Sequence, residues 1–168
     1  EMGVLADRRD PNLARQHPAD YLAGLEEIIK RAIGKAREAD AAFSPEMIKL
    51  WRECLEKAKA DDNVRAIVVT GKGDTFCSGG DIRDMADGKL KSWDMKRFLW
   101  DGVHRIVLTL EDLDKPVIAA INGAAMGAGM DMAIMCDLRV CSDRAKLAES
   151  YIMMGLIPGD GGAYFLPR

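Results

Sequence analysis

The sequence predicts an α/β fold in which short buried strands run into glycine-rich turns that open helices. Two stretches carry this reading. Ala66 to Thr70 (AIVVT) is a short, β-branched apolar run, and Gly71-Lys72-Gly73-Asp74 and then Phe76-Cys77-Ser78-Gly79-Gly80-Asp81-Ile82 follow it. Val117 to Ile121 is a second such run, and it leads through Asn122-Gly123 into GAAMGAG and an apolar segment. Each stretch reads as strand, small-residue turn, helix.

The remaining elements follow in chain order. Glu1 to His17 is polar and irregular, with Asp10-Pro11-Asn12 as a turn. Pro18 to Glu38 has the spacing of an amphipathic helix. Its stripe is Tyr21, Leu22, Leu25, Ile28, Ile29, Ala32 and Ile33, and Pro18 suits the first turn. Ser44-Pro45 reads as the N-cap and first residue of another helix, with Met47, Leu50, Trp51 and Leu55 as its apolar face. A short helix is expected near Asp81 to Asp87 and a long one near Ser92 to Leu110, ahead of the 117–121 strand. Leu138 to Cys141 and Lys146 to Ala148 suit short extended pieces. No internal sequence repeat is visible.

The turns suggest the chemistry. Backbone N–H groups at a helix start have no intrahelical partner and sit at the positive end of the helix dipole. Small residues let another group approach them closely. Two such turns, at Ser78-Gly79-Gly80 and Gly127-Ala128-Gly129, could aim two donors at one developing oxyanion. Asp131 lies three residues beyond Ala128, among Met130, Met132, Ala133 and Ile134, where a carboxyl could move a proton beside that oxyanion. The plainer reading of Asp131 is a helix carboxylate in a local ion pair. Asp160, between glycines in PGDGG, reads either as a proton-transfer group or as a turn former. Glu149 and Tyr151 share a face if their segment is extended. Tyr151 alone suits a pocket wall. Cys77 and Ser78 have no base as chain neighbour, and the nucleophile-elbow spacing is absent. GAAMGAG has no lysine at the phosphate-loop spacing.

Taken together and in this order, FCSGGDI, KPVIAAING, NGAAMGAGMDMAIMCD and GLIPGDGGAYFLPR resemble the crotonase superfamily, the enoyl-CoA hydratase/isomerase family, over about residues 43–168. The resemblance implies a spiral of ββα units that binds an acyl-CoA thioester. It implies that the amides of Gly80 and Ala128 form an oxyanion hole, with Ala128 where the family commonly has glycine. The backbone around Ser78, Asp81 and Ile82 matches the part that contacts coenzyme A. Asp131 falls where hydratases usually carry glutamate. Their second glutamate falls on Tyr151, so the two-glutamate pattern is broken. Asp160 matches a position where dienoyl-CoA isomerases and some hydratase-like members carry aspartate. Asp131 and Asp160 are thus the expected proton-transfer pair, with Glu149 in reserve. Hydration, a double-bond shift and other enolate reactions all stay open.

The first 40 residues offer none of the paired strands with which members of that family begin. The segment RDPNLARQHPADYLAGLEEIIKRAI is instead weakly similar to part of a ribulokinase-type carbohydrate kinase. The chain stops where family members continue into further helices. Residues 1–43 are therefore expected to form an atypical helical segment, and 44–168 a partial crotonase-like core without the usual first strands and C-terminal helices.

Composition bounds the rest. Of the 168 residues 48% are hydrophobic, enough to build a core. The net charge is −3 with Lys and Arg dispersed, which argues against nucleic acid as a partner. Cys54, Cys77, Cys136 and Cys141 lack metal or redox spacing, and Cys136 and Cys141 in their apolar context read as reduced core thiols. His17 and His104 stand apart, so no metal site is expected. No stretch reads as a membrane span or signal peptide. The expectation is a cytoplasmic homo-oligomer, a trimer or dimer of trimers. It would act on acyl-CoA, with no cofactor beyond the coenzyme A of its substrate. The alternative functions are a non-catalytic CoA-thioester-binding module and a truncated or chimeric fragment that serves as an interaction module.

Overall fold

The computed structural model describes residues 4–7, 10–16, 43–80 and 91–168. The chain divides into two units, Glu1–Arg37 and Glu38–Arg168.

The first unit corrects the expectation that the opening residues hold no strands. Val4–Asp7 (β1) pairs antiparallel with Asp10–Gln16 (β2), in a register that sets Val4 opposite Gln16 and Asp7 opposite Asp10. Asp10-Pro11-Asn12 read as a turn on composition. Pro11 instead sits at the second position of β2, and a two-stranded ribbon leaves one side of each strand free for a residue without an N–H. The amphipathic helix expected over 18–38 lies outside the described residues, as does the short helix near 81–87.

The second unit begins as its sequence predicts. Ser44 caps Pro45–Ala60 (α1), its hydroxyl accepting from the Met47 N–H at 3.2 Å, with Pro45 opening the first turn. The buried face of α1 is rotated from the expected one. Ile48 and Leu55 are buried with Trp51 packed beside them, and Leu50 is turned outward. At the far end, Lys115 Nζ donates to the carbonyls of Ala58, Lys59 and Asp61, which satisfies acceptors that the helix end leaves open.

Ile67–Thr70 (β3) and Thr75–Cys77 (β4) follow. Ser92–Arg97 (α2), a π-helical stretch Phe98–Val103 and His104–Glu111 (α3) make one continuous helical run, close to the predicted 92–110. Val103 and Ile106 on this run are fully enclosed. Next come Val117–Ile121 (β5), Ala124–Met126 (β6), Ala128–Ile134 (α4), Leu138–Cys141 (β7) and Leu147–Ala148 (β8). A 3-10 turn over Ser150–Met154 and a short helix Gly162–Phe165 (α5) end the chain.

The topology is a spiral. β3, β5 and β7 form one parallel sheet, and β4, β6 and β8 form another. Each strand–turn–strand pair therefore gives one strand to each sheet, and a helical segment carries the chain on to the next pair. This is a repeat in structure that the sequence does not display, because each unit needs only short apolar strands and a corner. The corners are tied by side chains. Asn122 Oδ1 accepts from the Gly71 N–H, and its Nδ2 donates to the carbonyls of Gly73 and Thr75. The core lies between α1, the 92–111 run and the first sheet. There Val117, Ala119 and Ile121 alternate inward along β5 and meet Leu55, Val103 and Ile106.

The cysteines are corrected in part. Cys77 and Cys136 are buried, but Cys54 and Cys141 are exposed. Cys141 ends β7, and all four residues of that edge strand face outward. Cys136 Sγ donates to the Met132 carbonyl, and burial pushes its thiol up to about 12. Among the described residues no helix is long and apolar enough to cross a membrane.

Candidate functional site

Strands β4 and β6 lie side by side and parallel, so the turns that leave them leave in the same direction. Contacts between backbones hold these turns together. A Cβ on Gly79 would stand 2.7 Å from the Met126 carbonyl oxygen and 3.7 Å from the Ala128 nitrogen. A Cβ on Gly129 would stand 2.2 Å from the Cys77 carbonyl oxygen. Neither position has room for a side chain, and the closeness of the two turns depends on that. Gly80 follows directly and is half-buried, with Ser78 exposed just before.

Ala128 is the first residue of α4. Its φ is not positive; the unusual angles fall on Gly127, at φ 51° and ψ −121°. Alanine therefore replaces the more usual glycine without strain, and the N–H stays available at a helix start. Gly80 and Ala128 are brought to neighbouring turns as the sequence predicts. Asp81 and Ile82 lie outside the described residues.

One turn into α4, Asp131 is fully buried, and its N–H closes the first helical bond to the Gly127 carbonyl. Its carboxyl is the centre of a cluster. Tyr151 Oη lies 2.5 Å from Asp131 Oδ2 and 2.8 Å from Asp160 Oδ2. On the other side, Asp131 Oδ1 and Glu149 Oε1 both lie over Gly162, at 2.2 and 2.6 Å from where its Cβ would be. Asp131 Oδ1, Asp160 Oδ1 and both Glu149 oxygens are buried without a hydrogen-bond partner. The ring of Tyr151 also reaches the amide turn, since a Cβ on Gly127 would lie 3.9 Å from its Cζ.

Of the carboxyls expected to do chemistry, Asp131 and Asp160 thus meet at one phenol, and Glu149 stands beside Asp131 on its other oxygen. The expected extended geometry at 149–151 is corrected. β8 stops at Ala148, and the 3-10 turn that begins at Ser150 swings Tyr151 toward the same point as Glu149. Tyr151 does more than line a wall, because its hydroxyl joins the two aspartates.

The electrostatics follow from burial. Desolvation raises Asp131 to about 7; the Tyr151 hydrogen bond works against this, and the charges of Glu149 and Asp160 add to it. Burial likewise raises Asp160 and Glu149. Tyr151 is driven far up, first by burial and then by the charge of Asp160 beside it, so the phenol keeps its proton. The Tyr151 hydrogen bond, and after it the nearby His104, pull Asp160 the other way. The sequence reading weighed His104 only as a metal ligand and gave it no place in the site. Its Nε2 lies 2.9 Å from the Gly159 carbonyl, which ties the loop before Asp160 to α3 across 55 residues of chain. No local pattern could have revealed that contact. Gly162 was also missed, although PGDGG held the signal: paired glycines just after an acid leave space for carboxyl oxygens.

Gly162→Ala is expected to break the cluster. A methyl group there overlaps two carboxyl oxygens, so either the carboxyls separate or α5 shifts, at a cost of roughly 1–3 kcal/mol. A urea melt of this variant that superimposes on the parent's, with unchanged α5 amide exchange, would contradict this geometry. Among the described residues no group of three or more His, Cys, Asp or Glu is arranged to hold a metal ion.

Comparison with known proteins gives consistent matches. The sequence model of the family described as Enoyl-CoA hydratase/isomerase matches residues 30–168. A probable enoyl-CoA hydratase of Bacillus subtilis (strain 168) is 34% identical over 127 residues, covering 76% of this chain and 48% of its own length. The fatty acid oxidation complex subunit alpha of Shewanella frigidimarina (strain NCIMB 400) is 41% identical over 129 residues, covering 75% of this chain and 17% of that protein. Among solved structures, an enoyl-CoA hydratase from Polaromonas sp. JS666 matches with TM-score 0.70 and 34% identity, over 76% of this chain and 49% of that one. A probable enoyl-CoA hydratase/isomerase from Mycobacterium abscessus matches over 98% of this chain and 56% of its own, with TM-score 0.65 and 33% identity. The chain spans about half the length of the hydratases it matches, and less than a fifth of the oxidation-complex subunit. None of these matches supports the likeness of residues 9–33 to a ribulokinase-type kinase.

Proposed function

The chain belongs to the enoyl-CoA hydratase/isomerase family, and from that premise we propose that it acts on acyl-CoA thioesters through a stabilised enolate. In this reading the Gly80 and Ala128 amides receive the thioester oxygen, with Ser78, Asp81 and Ile82 beside the coenzyme. Asp131 and Asp160 move protons at the acyl carbons. Glu149 keeps a negative neighbour near Asp131, and coenzyme A enters only as part of the substrate. The observation that carries the reading is the packing of the Gly79 and Gly129 turns against each other's backbones, next to a buried carboxyl one turn into α4. Donors fixed in this way need no reorganisation when charge develops on the substrate. The relatives named for fatty acid oxidation and enoyl-CoA hydration support the substrate class.

One observation favours a second reading, a CoA-thioester-binding module without turnover: Asp131 has no exposed surface. Loss of the enoyl-thioester absorbance on mixing with the chain supports the first reading. Saturable binding with no spectral change supports the second.

The oligomer also belongs to this proposal. Ile152, Met153 and Ile157 are 78%, 82% and 85% exposed, on the segment that leads to Asp160. Such a strip suits a protein contact. The expected result is a mass by light scattering that rises with concentration toward a trimer. A constant monomer mass that binds no apolar dye would oppose it. A cytoplasmic location also belongs to this proposal and rests on cysteines without disulfide, redox or metal spacing in the sequence.

A further inference from the structure

We infer that Tyr151 is a proton relay between Asp131 and Asp160, which lets the site shift a proton within its substrate and then reset itself without water. The inference rests on the acyl-CoA reading above and adds to it the class of reaction and a positioning residue.

The argument starts from proton counting. A phenol has one proton, yet Tyr151 Oη stands at hydrogen-bond distance from two carboxyl oxygens, at 2.5 and 2.8 Å. One proton cannot lie well aligned toward both. The second contact therefore needs a proton from a carboxyl, which makes one aspartate a neutral acid; with the other ionised, the two share a single carboxyl proton. Two arrangements satisfy the geometry. In one, Asp131 donates to Tyr151 and Tyr151 donates to Asp160. In the other, both directions are reversed. They interconvert by two short hops along existing hydrogen bonds, and Tyr151 never has to become a tyrosinate.

The cluster is built for this sharing. Asp131 and Asp160 are both buried, so neither exchanges freely with bulk water. The phenol oxygen is hydrogen-bonded to both, and the Glu149 carboxyl stands beside Asp131 on its other oxygen. A reaction that adds water needs an oxygen held by a base at the substrate. Here the place between the two acids is taken by an oxygen covalently fixed to the chain.

The steps balance as a double-bond shift. Asp131 carboxylate takes a proton from one acyl carbon, and the C–H electron pair enters the thioester enolate. Asp160 in its acid form gives its proton to a different carbon of the enolate, where an electron pair forms the new C–H bond. Asp131 is then the acid and Asp160 the carboxylate. Two hops through Tyr151 restore the starting state. Nothing is oxidised or reduced, and no water is consumed.

The test follows the interconversion of 2- and 3-enoyl-CoA in deuterium oxide, with hydration scored in parallel. For the parent chain the expected result is isomerisation faster than hydration, with well under one solvent deuterium gained per turnover. For Tyr151→Phe the expected result is turnover lowered about tenfold or more, with more solvent deuterium in each product and a shifted pH profile. A Tyr151→Phe variant with the parent's deuterium content and pH profile overturns the relay. So does a parent that only hydrates, which leaves the acyl-CoA reading standing; a parent that binds the thioester without turnover overturns the relay and favours the binding module instead. A parent that neither binds nor converts the thioester overturns both. Infrared spectra of the parent with isotope-labelled aspartate provide a measurement that does not depend on a folded variant. A carboxylic-acid carbonyl band is expected at neutral pH, and its absence overturns the shared proton.

Discussion

Asp131→Asn is expected to lower turnover on an enoyl-CoA by about a hundredfold or more while leaving thioester affinity nearly unchanged. The amide keeps the shape of the side chain and removes its capacity to take a proton. Asp160→Asn and Glu149→Gln on the same panel should cost less. If Asp131→Asn exchanges the α-proton like the parent and Glu149→Gln is inactive, the base is Glu149. The pH dependence has a definite sign. Asp131 must be ionised to act as base, so turnover should rise as pH rises through about 7. Stability runs the other way. Burial favours the protonated carboxyl in the folded state, so the folded state binds this proton more tightly than the unfolded chain does. That contribution is fully present below the unfolded value of about 4 and is lost as pH rises to about 7. The loss is of order 4 kcal/mol at most, and denaturant melts of Asp131→Asn should show a flatter pH dependence than those of the parent over this window.

Ala128→Pro should cost about 3 kcal/mol of transition-state stabilisation, roughly a hundredfold in turnover. Proline suits the first residue of α4, so the helix is retained, but its ring carbon takes the place of the N–H and so both removes the donor and narrows the hole. A correctly folded Ala128→Pro variant with parental turnover would remove Ala128 from the oxyanion hole. Ala128→Gly serves as the control, since it retains the donor.

The sequence made some of this legible and hid the rest for physical reasons. Strands β3, β5 and β7, the Ser44 cap and the long helical run were readable because periodicity and capping are local signals. The glycine turns were readable because close backbone approach restricts residue type. Asp131 and Asp160 stood out as acids in apolar or glycine company. The phenol bridge was not visible, because it joins residues 20 and 9 positions apart through a 3-10 turn that no periodicity announces. The hairpin at 4–16 was missed because Asp-Pro-Asn carries a turn signal, which pairing with β1 overrides. Leu50 was assigned to the apolar face of α1 on residue type, although Glu46 and Glu53 are its neighbours on the helix surface; the core instead selects Ile48.

The N–H at position 128 has a consequence for how such a chain can diverge. Its φ suits ordinary residues, so at the level of the genetic code only a change to proline deletes the donor. The carboxyl one turn later is lost by every change at the first two bases of its codon, while third-base changes keep aspartate or give glutamate. Random substitution therefore erodes the acid much faster than it erodes the amide. A lineage built on this scaffold should keep the group that grips the thioester oxygen and exchange the groups that move protons around it.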